Sequence, residues 1–240
     1  MNLLAGIAGI LLILIILWDA FETIVLPRQV SHRFRLTQTF YRATWRPWKA
    51  CARFFKTPRG RGTYLGFFGP LSLPLLVGFW ATGLIAGFGL IYWALGAAIE
   101  IHGFSSGLFT SFYLSGTTFF TLGLGDVVPH TILSRALTVF EAGTGFGFLA
   151  IVIGYLPVIY QSFSRRELSI SLLDARAGSP PTAGELLRRH PEVQGTEALR
   201  DLLKEWEYWA AELLESHLSY PVLCLFRSQH DNQSWISAIC

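Results

Sequence analysis

Three long, nearly charge-free apolar segments constrain this chain more than any other feature of its sequence. They run from Asn2 to Trp18, from Pro70 to Ala98 and from Ile132 to Phe163. A helix that crosses a membrane needs roughly 20 apolar residues, within a range of about 17–25. Only 15% of the 240 residues are charged, against about 25% in soluble domains. The sequence therefore predicts an all-α membrane protein with three transmembrane helices.

The first apolar segment has an alternative interpretation as a cleaved signal peptide. Such a peptide has a basic start and a small-residue cleavage site, and neither is present here. We therefore predict a retained helix over residues 1–27, which carries Asp19 and Glu22 near its end.

The distribution of charge orients the predicted spans. Ten of the 19 Lys and Arg residues lie between Asp19 and Phe68, whereas the connection from Ile99 to Thr131 has none. Since Lys and Arg are enriched in cytoplasmic loops, we expect the first connection inside and the second outside. The N-terminus is then external and the C-terminal tail cytoplasmic. The compact chain favours the inner membrane of a prokaryote.

The basic linker, residues 28–68, combines cations and aromatic rings at helical spacing. The cations of this pattern are Arg42, Arg46, Lys49 and Arg53. A helix of this kind lies on the membrane surface and contacts anionic lipid, and we expect Pro47 to divide it into two short helices. A voltage sensor is the alternative for a periodic Arg row, but the segment is too polar to cross a bilayer.

The external connection contains a second, shorter apolar stretch. Residues 107–120 are uncharged but too few to span a membrane, and the sequence TLGLGD follows them. Irregular backbone at membrane depth must lie inside protein or along a water-filled path. Gly123 and Gly125 permit the positive φ angles that such a return requires. We predict a re-entrant helix followed by an irregular segment.

The order of span, short helix, TLGLGD and span resembles the pore module of potassium channels, whose selectivity filter reads TVGYGD. The resemblance covers about residues 75–163 and implies a passive potassium channel. It implies that backbone oxygens of the filter replace the water shell of K⁺, with the ion held at Thr121, Leu122, Gly123 and Leu124. The implied filter residues are Thr121, Leu122, Gly123, Leu124 and Gly125.

The resemblance also implies roles for residues around the filter. Thr117 and Thr118 would support it from the pore helix, and Asp126 would brace it at the outer mouth. Gly145 lies 19 residues after Asp126, where these pores have their gating hinge. Because one loop supplies a quarter of a filter ring, the resemblance implies a homotetramer.

Two departures from the family pattern keep alternatives open. Leu122 stands in place of Val, and Leu124 stands in place of a Tyr whose ring and hydroxyl anchor the filter in the family. The chain could instead be a weakly selective channel for monovalent cations. It could also be a non-conducting membrane scaffold in which TLGLGD is degenerate.

Glu141 is an acid within the third apolar segment, and an acid inside a membrane is a functional candidate. It could line the cavity and concentrate cations. Alternatively, it could pair behind the filter with a hydroxyl such as that of Thr117, or form a structural hydrogen bond.

The sequence divides into four predicted domains, at residues 1–27, 28–68, 69–163 and 164–240. The last is a cytoplasmic tail with amphipathic helices at Glu185–Arg189 and Glu197–His217, and its apolar ending, residues 234–240, suggests truncation. Neither paired acids in the spans nor a nucleotide-binding motif occurs, so we predict no enzyme, no cofactor and no nucleic-acid partner.

Overall fold

The computed structural model describes residues 3–26, 35–96, 99–101, 107–178, 181–189 and 193–228. The predicted boundary at residues 27 and 28 and the apolar ending of the chain lie outside these residues. The described α-helices are α1 (Leu3–Ile24), α2 (Leu36–Cys51), α3 (Pro58–Gly66), α4 (Phe68–Leu95), α5 (Leu108–Phe119), α6 (Ile132–Ala177), α7 (Ala183–Arg188) and α8 (Val193–Ser219). Short 3₁₀ helices cover Ala52–Phe54 and Pro221–Leu225.

Within the residues that the structure describes, three stretches are long and apolar enough to cross a membrane, as the sequence predicts. They are α1, the stretch Arg59–Leu95 that includes α4, and α6. At ~1.5 Å per residue, the 22 residues of α1 match a hydrocarbon core of about 30 Å. The 46 residues of α6 make a helix of about 70 Å, so α6 is longer than a bilayer requires and continues past the predicted end at Phe163.

The all-α prediction needs one correction. Strands β1 (Ile99–Ile101) and β2 (Val127–Pro129) form a two-stranded antiparallel sheet, with Ile99 opposite Pro129. The β-branched residues of both strands favour extended backbone. Each strand is too short for its alternating pattern to be recognised in the sequence.

The chain divides into two compact units. The first contains residues 1–26, 30–43 and 74–155, and the second contains residues 27–29, 44–73 and 156–240. This division differs from the four predicted domains, because α2, α4 and α6 each contribute residues to both units.

Helix α1 packs closely on α4 in the first unit through glycines on both helices. A Cβ added at Gly87 would lie 2.6 Å from Cγ1 of Ile13 and 3.0 Å from the carbonyl oxygen of Gly9. Small residues permit such close approach between membrane helices. The core around this contact includes Ile16, which is 2% exposed, and Leu84, which is fully buried.

Asp19 connects three helices of the first unit. Its side chain is buried and accepts hydrogen bonds from the Thr37 amide at 3.2 Å and the Thr37 hydroxyl at 2.7 Å. It also accepts a hydrogen bond from Trp80 Nε1 at 2.9 Å. Thr37 is the second residue of α2, so the carboxylate satisfies a backbone donor at the start of that helix. Its negative charge also interacts favourably with the positive end of the helix dipole. Asp19 thereby links α1, α2 and α4.

Helix α2 is continuous through Pro47, contrary to the expectation of two short helices. A proline inside a helix removes one backbone hydrogen bond, here the bond to the carbonyl of Ala43. Ala43 and Pro47 are both exposed. The carbonyl that loses its partner therefore lies on an accessible face, where solvent or a headgroup can satisfy it.

The second unit contains an aromatic cluster and the helical tail. Trp48 stacks on Tyr64 with ring centroids 4.5 Å apart, and Trp45 meets Phe68 edge-on at 4.8 Å. In the tail, α7 and α8 confirm the predicted amphipathic helices. The buried residues of the tail core are Leu173, Ala177, Leu186 and Leu202.

We predict that Asp19→Ala lowers the thermal stability of the protein in detergent. The change leaves Trp80 Nε1 and the first turn of α2 without an acceptor, at a cost of about 1–3 kcal/mol. Leu14→Ala is the control, because Leu14 lies on the same helix and is 58% exposed. Equal unfolding temperatures for the two variants would contradict the role of Asp19.

Candidate functional site

The candidate site begins with α5, a helix of 12 residues that is too short to cross a membrane. It starts after Gly107, whose backbone is extended, and it ends at Phe119. Its buried face carries small hydroxyl side chains as well as apolar ones, including Ser111, Ser115 and Thr118. The TLGLG segment follows directly after Phe120.

The backbone of the TLGLG segment alternates in handedness. Thr121, Gly123 and Gly125 have φ angles of 56°, 54° and 78°, whereas Leu122 and Leu124 lie outside the positive region. Alternation between right-handed and left-handed residues gathers successive N–H groups on one side of the chain. Such a backbone can direct the carbonyl oxygens to the opposite side. Thr121 is notable because a β-branched residue rarely adopts a positive φ.

Hydrogen bonds to α5 hold the N–H side of this segment. The amide of Thr121 donates to the carbonyl of Thr118 at 2.9 Å, and the amide of Leu122 donates to the carbonyl of Thr117 at 2.8 Å. Gly123 donates to the same Thr117 oxygen at 3.4 Å. Within the described residues, no hydrogen bond ends on a carbonyl of residues 121–125. The segment thus offers a row of backbone oxygens that can accept further partners.

The leucine side chains of the segment are exposed in the single chain. Leu122 is 62% exposed and Leu124 is 64% exposed. Exposed apolar side chains next to unpaired carbonyls indicate a surface that requires cover from another molecule. This exposure distinguishes the segment from the buried end of α5.

The predicted supporting residues occupy different environments. Thr118 is buried, whereas the half-buried Thr117 donates its hydroxyl to Leu114 in its own helix at 3.0 Å. Asp126 accepts a hydrogen bond of 2.7 Å from the hydroxyl of Tyr113, on α5. The sequence analysis did not identify Tyr113. Its spacing of 13 residues from Asp126 carries no periodic signal, since the intervening chain reverses direction.

Glu141 is fully buried within the first unit, so its carboxyl does not face an open cavity of this chain. Its Oε2 accepts a hydrogen bond from the Tyr92 hydroxyl at 2.8 Å. Its Oε1 is in hydrogen-bond contact with the Ser115 hydroxyl. The geometry agrees with the alternative of a hydroxyl partner on α5, although the partner is Ser115 and not Thr117. Residues two apart lie about 200° apart around a helix, so only one of these hydroxyls can face α6.

Gly145 lies where α6 meets the end of α5. A Cβ added at Gly145 would lie 2.9 Å from the carbonyl carbon of Phe119. Helix α6 runs through this position without interruption. The structure thus gives Gly145 a packing role, and its function as a gating hinge stays a prediction.

The cations of the predicted membrane-surface helix are exposed. They are Arg42, Arg46, Lys49 and Arg53. Trp45 and Trp48 are half-buried, because their rings pack on Phe68 and Tyr64. This arrangement leaves the positive groups accessible to anions.

Part of this chain matches a known protein family. Residues 79–161 match the model of an ion channel family, and they include α5, the TLGLG segment and about two thirds of α6. No curated protein and no solved structure matches the chain significantly. Ion channels are not enzymes, in agreement with the sequence prediction, and members of this family usually form oligomers. Residues 79–161 are therefore similar to a domain of the ion channel family, and the membrane-length helices point to a membrane protein.

Proposed function

We propose that the protein is a subunit of a passive potassium channel. One observation carries this proposal: positive φ angles alternate along Thr121, Gly123 and Gly125 in an exposed segment that is anchored on α5. This backbone directs carbonyl oxygens to one side, and rings of backbone carbonyls are the ligands that replace the hydration shell of K⁺. The segment belongs to the domain that matches ion channels.

The proposed ion sites use the oxygens of Thr121, Leu122, Gly123 and Leu124. Gly125 completes the filter, and K⁺ is the transported ion, without any cofactor. Thr117 supports the filter through its carbonyl, which accepts from Leu122 and Gly123. Thr118 does so through its carbonyl bond to Thr121, while Asp126 braces the outer end through Tyr113.

The proposed assembly is a homotetramer around the ion path. One TLGLG segment provides a quarter of a coordination ring, so four copies are required. The exposure of Leu122 and Leu124 supports self-association, because a neighbouring subunit would cover both side chains. In this assembly α5 is the re-entrant pore helix and the first half of α6 lines the pore.

The proposed topology follows the charge distribution. The N-terminus and the TLGLG segment face the outside, and the basic linker and tail face the cytoplasm of a prokaryotic cell. Exposed Arg42, Arg46, Lys49 and Arg53 contact anionic lipid headgroups at the inner surface.

A weakly selective cation channel is the second candidate. Leu124 has no hydroxyl, and its exposed side chain cannot form the polar anchor that the Tyr of the family pattern supplies. A filter without that anchor can widen and accept Na⁺.

We predict that Gly123→Ala or Gly125→Ala abolishes ion flux through the protein in liposomes. An alanine at positive φ costs about 1–2 kcal/mol in each subunit, which disfavours the backbone that aligns the oxygens. The measurement is K⁺-driven flux reported by a proton-sensitive dye. Gly62→Ala is the control, because an added Cβ at Gly62 meets nothing within 4 Å. Flux that survives both filter changes would refute the proposed pathway. The flux would then be a non-specific leak, and the protein could be the non-conducting scaffold.

We predict a reversal potential that follows the K⁺ gradient in mixed K⁺ and Na⁺. The backbone oxygens, which coordinate the ion, remain in place with Leu at position 124. Leu124→Tyr restores the residue of the family pattern and should leave K⁺ selectivity equal or higher. A wild-type reversal potential near zero under bi-ionic conditions would instead support the weakly selective channel.

We predict that Arg42→Gln/Arg46→Gln reduces the number of anionic lipids that the protein retains in native mass spectrometry. Each basic residue near an anionic surface contributes about 1 kcal/mol. Arg200→Gln/Lys204→Gln is the matched control, because it neutralises two exposed cations at the same spacing on α8. Equal lipid retention by both variants would contradict a lipid contact at α2.

A further inference from the structure

Two of the contacts between helices α5 and α6 lie one helical turn apart. Ser115 contacts Glu141, and four residues later along both helices the backbone of Phe119 contacts Gly145. The second contact lies two residues before Thr121. Residues four apart share a face of a helix, so one face of α5 lies against one face of α6. We call the residues Ser115, Phe119, Glu141 and Gly145 the α5–α6 joint.

The Glu141 carboxyl extends this joint to a third helix. Tyr92, on α4, is fully buried and donates its hydroxyl to Oε2 at 2.8 Å. The Tyr92 oxygen also lies 3.0 Å from the hydroxyl of Thr138, which itself donates to the carbonyl of Ser134 at 2.9 Å. Each carboxyl oxygen of Glu141 therefore has a hydroxyl partner from a different helix. A buried carboxyl with these partners fixes the helices relative to each other.

The number of hydroxyl hydrogens available at Ser115 indicates which hydrogen bonds the Glu141 carboxyl makes. Ser115 Oγ lies 2.9 Å from the carbonyl oxygen of Ile85 and also contacts Oε1 of Glu141. A serine hydroxyl has one hydrogen, so it cannot donate to both oxygens. Both contacts are hydrogen bonds at once when position 141 supplies the second hydrogen, from a carboxylic acid or from an amide. The geometry thus suits a neutral group that both donates and accepts.

We propose that Glu141 is a positioning residue for the filter, acting through hydrogen bonds to Ser115 and Tyr92 and not through its charge on the ion path. The inference rests on the proposed channel function and adds the element that sets the position of the pore helix. Gly145 acts with it, because the absence of a side chain allows α6 to approach Phe119. Together they hold the end of α5, whose carbonyls in turn hold the amides of Thr121 and Leu122.

The test compares Glu141→Gln with Glu141→Leu in full-length protein reconstituted in liposomes. A glutamine amide can donate to Ser115 and accept from Tyr92, whereas leucine can do neither. We expect Glu141→Gln to keep the unitary conductance and the K⁺/Na⁺ permeability ratio of the wild type. We expect Glu141→Leu to lower the permeability ratio about tenfold, the effect of one lost buried hydrogen bond.

Matched variants on both helices separate this role from a general loss of packing. Ser115→Ala should resemble Glu141→Leu, whereas Ser111→Ala should not, because the buried Ser111 hydroxyl donates to the carbonyl of Gly107 at the start of its own helix. Gly145→Ala should also lower the permeability ratio. Gly143→Ala and Gly147→Ala are its controls, since an added Cβ at either position meets nothing within 4 Å.

Hydrogen–deuterium exchange of the purified protein provides a readout that does not depend on current. We expect faster exchange of α5 amides in Glu141→Leu and Ser115→Ala, and wild-type exchange in Glu141→Gln. Exchange in α5 that is the same in all variants would overturn the joint.

The functional outcomes are distinguishable. If wild-type protein conducts and Glu141→Leu keeps its permeability ratio, the positioning role is overturned while the channel stands. If Glu141→Gln lowers unitary conductance without changing selectivity, the charge acts on the ion path and the proposal is overturned. If wild-type protein shows no flux that depends on Gly123, the proposed function fails, and the filter role of Glu141 fails with it.

Discussion

In the proposed channel, the cost of exposing backbone carbonyls to lipid governs the organisation of the first unit. Each unsatisfied peptide group in hydrocarbon costs several kcal/mol, so an irregular segment needs protein on one side and water or an ion on the other. The TLGLG segment meets the first requirement through amide bonds to Thr117 and Thr118. Its carbonyls accept no hydrogen bond within the described residues, and in the proposed channel they face water or the ion. The short α5 provides the protein side, because the carbonyls of its last turn lie where the segment begins and accept its amides.

Two buried acids and several glycines hold the helices that surround this segment. Between helices in a membrane the hydrophobic effect is weak, and close packing and polar contacts provide the association. Asp19 gathers donors from α2 and α4, and Glu141 gathers hydroxyls from α4 and α5. Gly87 and Gly145 permit close backbone approach at the same interfaces. The two acids have different partners. Asp19 accepts hydrogen bonds from the first turn of α2, whereas Glu141 contacts side-chain hydroxyls in the middle of the bundle.

Much of this architecture follows from the sequence. Long charge-free segments predict membrane-length helices because length and hydropathy are local properties, and the alternation of leucine with Gly123 and Gly125 indicates an unusual backbone. The positive φ of Thr121 and the partners of Asp19 could not be predicted in this way. The partners of Asp19 lie 18 and 61 positions away along the chain, and a single sequence has no pattern that records such contacts. The φ of Thr121 is unusual for a β-branched residue, so the residue type does not predict it. Whether Ser115 or Thr117 contacts Glu141 depends on the rotation of α5 about its axis. The continuity of α2 through Pro47 depends on the exposure of the Ala43 carbonyl that loses its hydrogen bond.

The contact of α1 with α4 has a consequence for where the channel domain begins. The segment that matches ion channels starts at residue 79, yet Trp80 bonds to Asp19 and Gly87 lies against Gly9. A shortened protein that started at the family boundary would leave an indole N–H without its acceptor and a glycine-lined groove filled by lipid tails. Helix α1 accordingly belongs to the same compact unit as most of the matched segment, so that unit extends beyond residues 79–161.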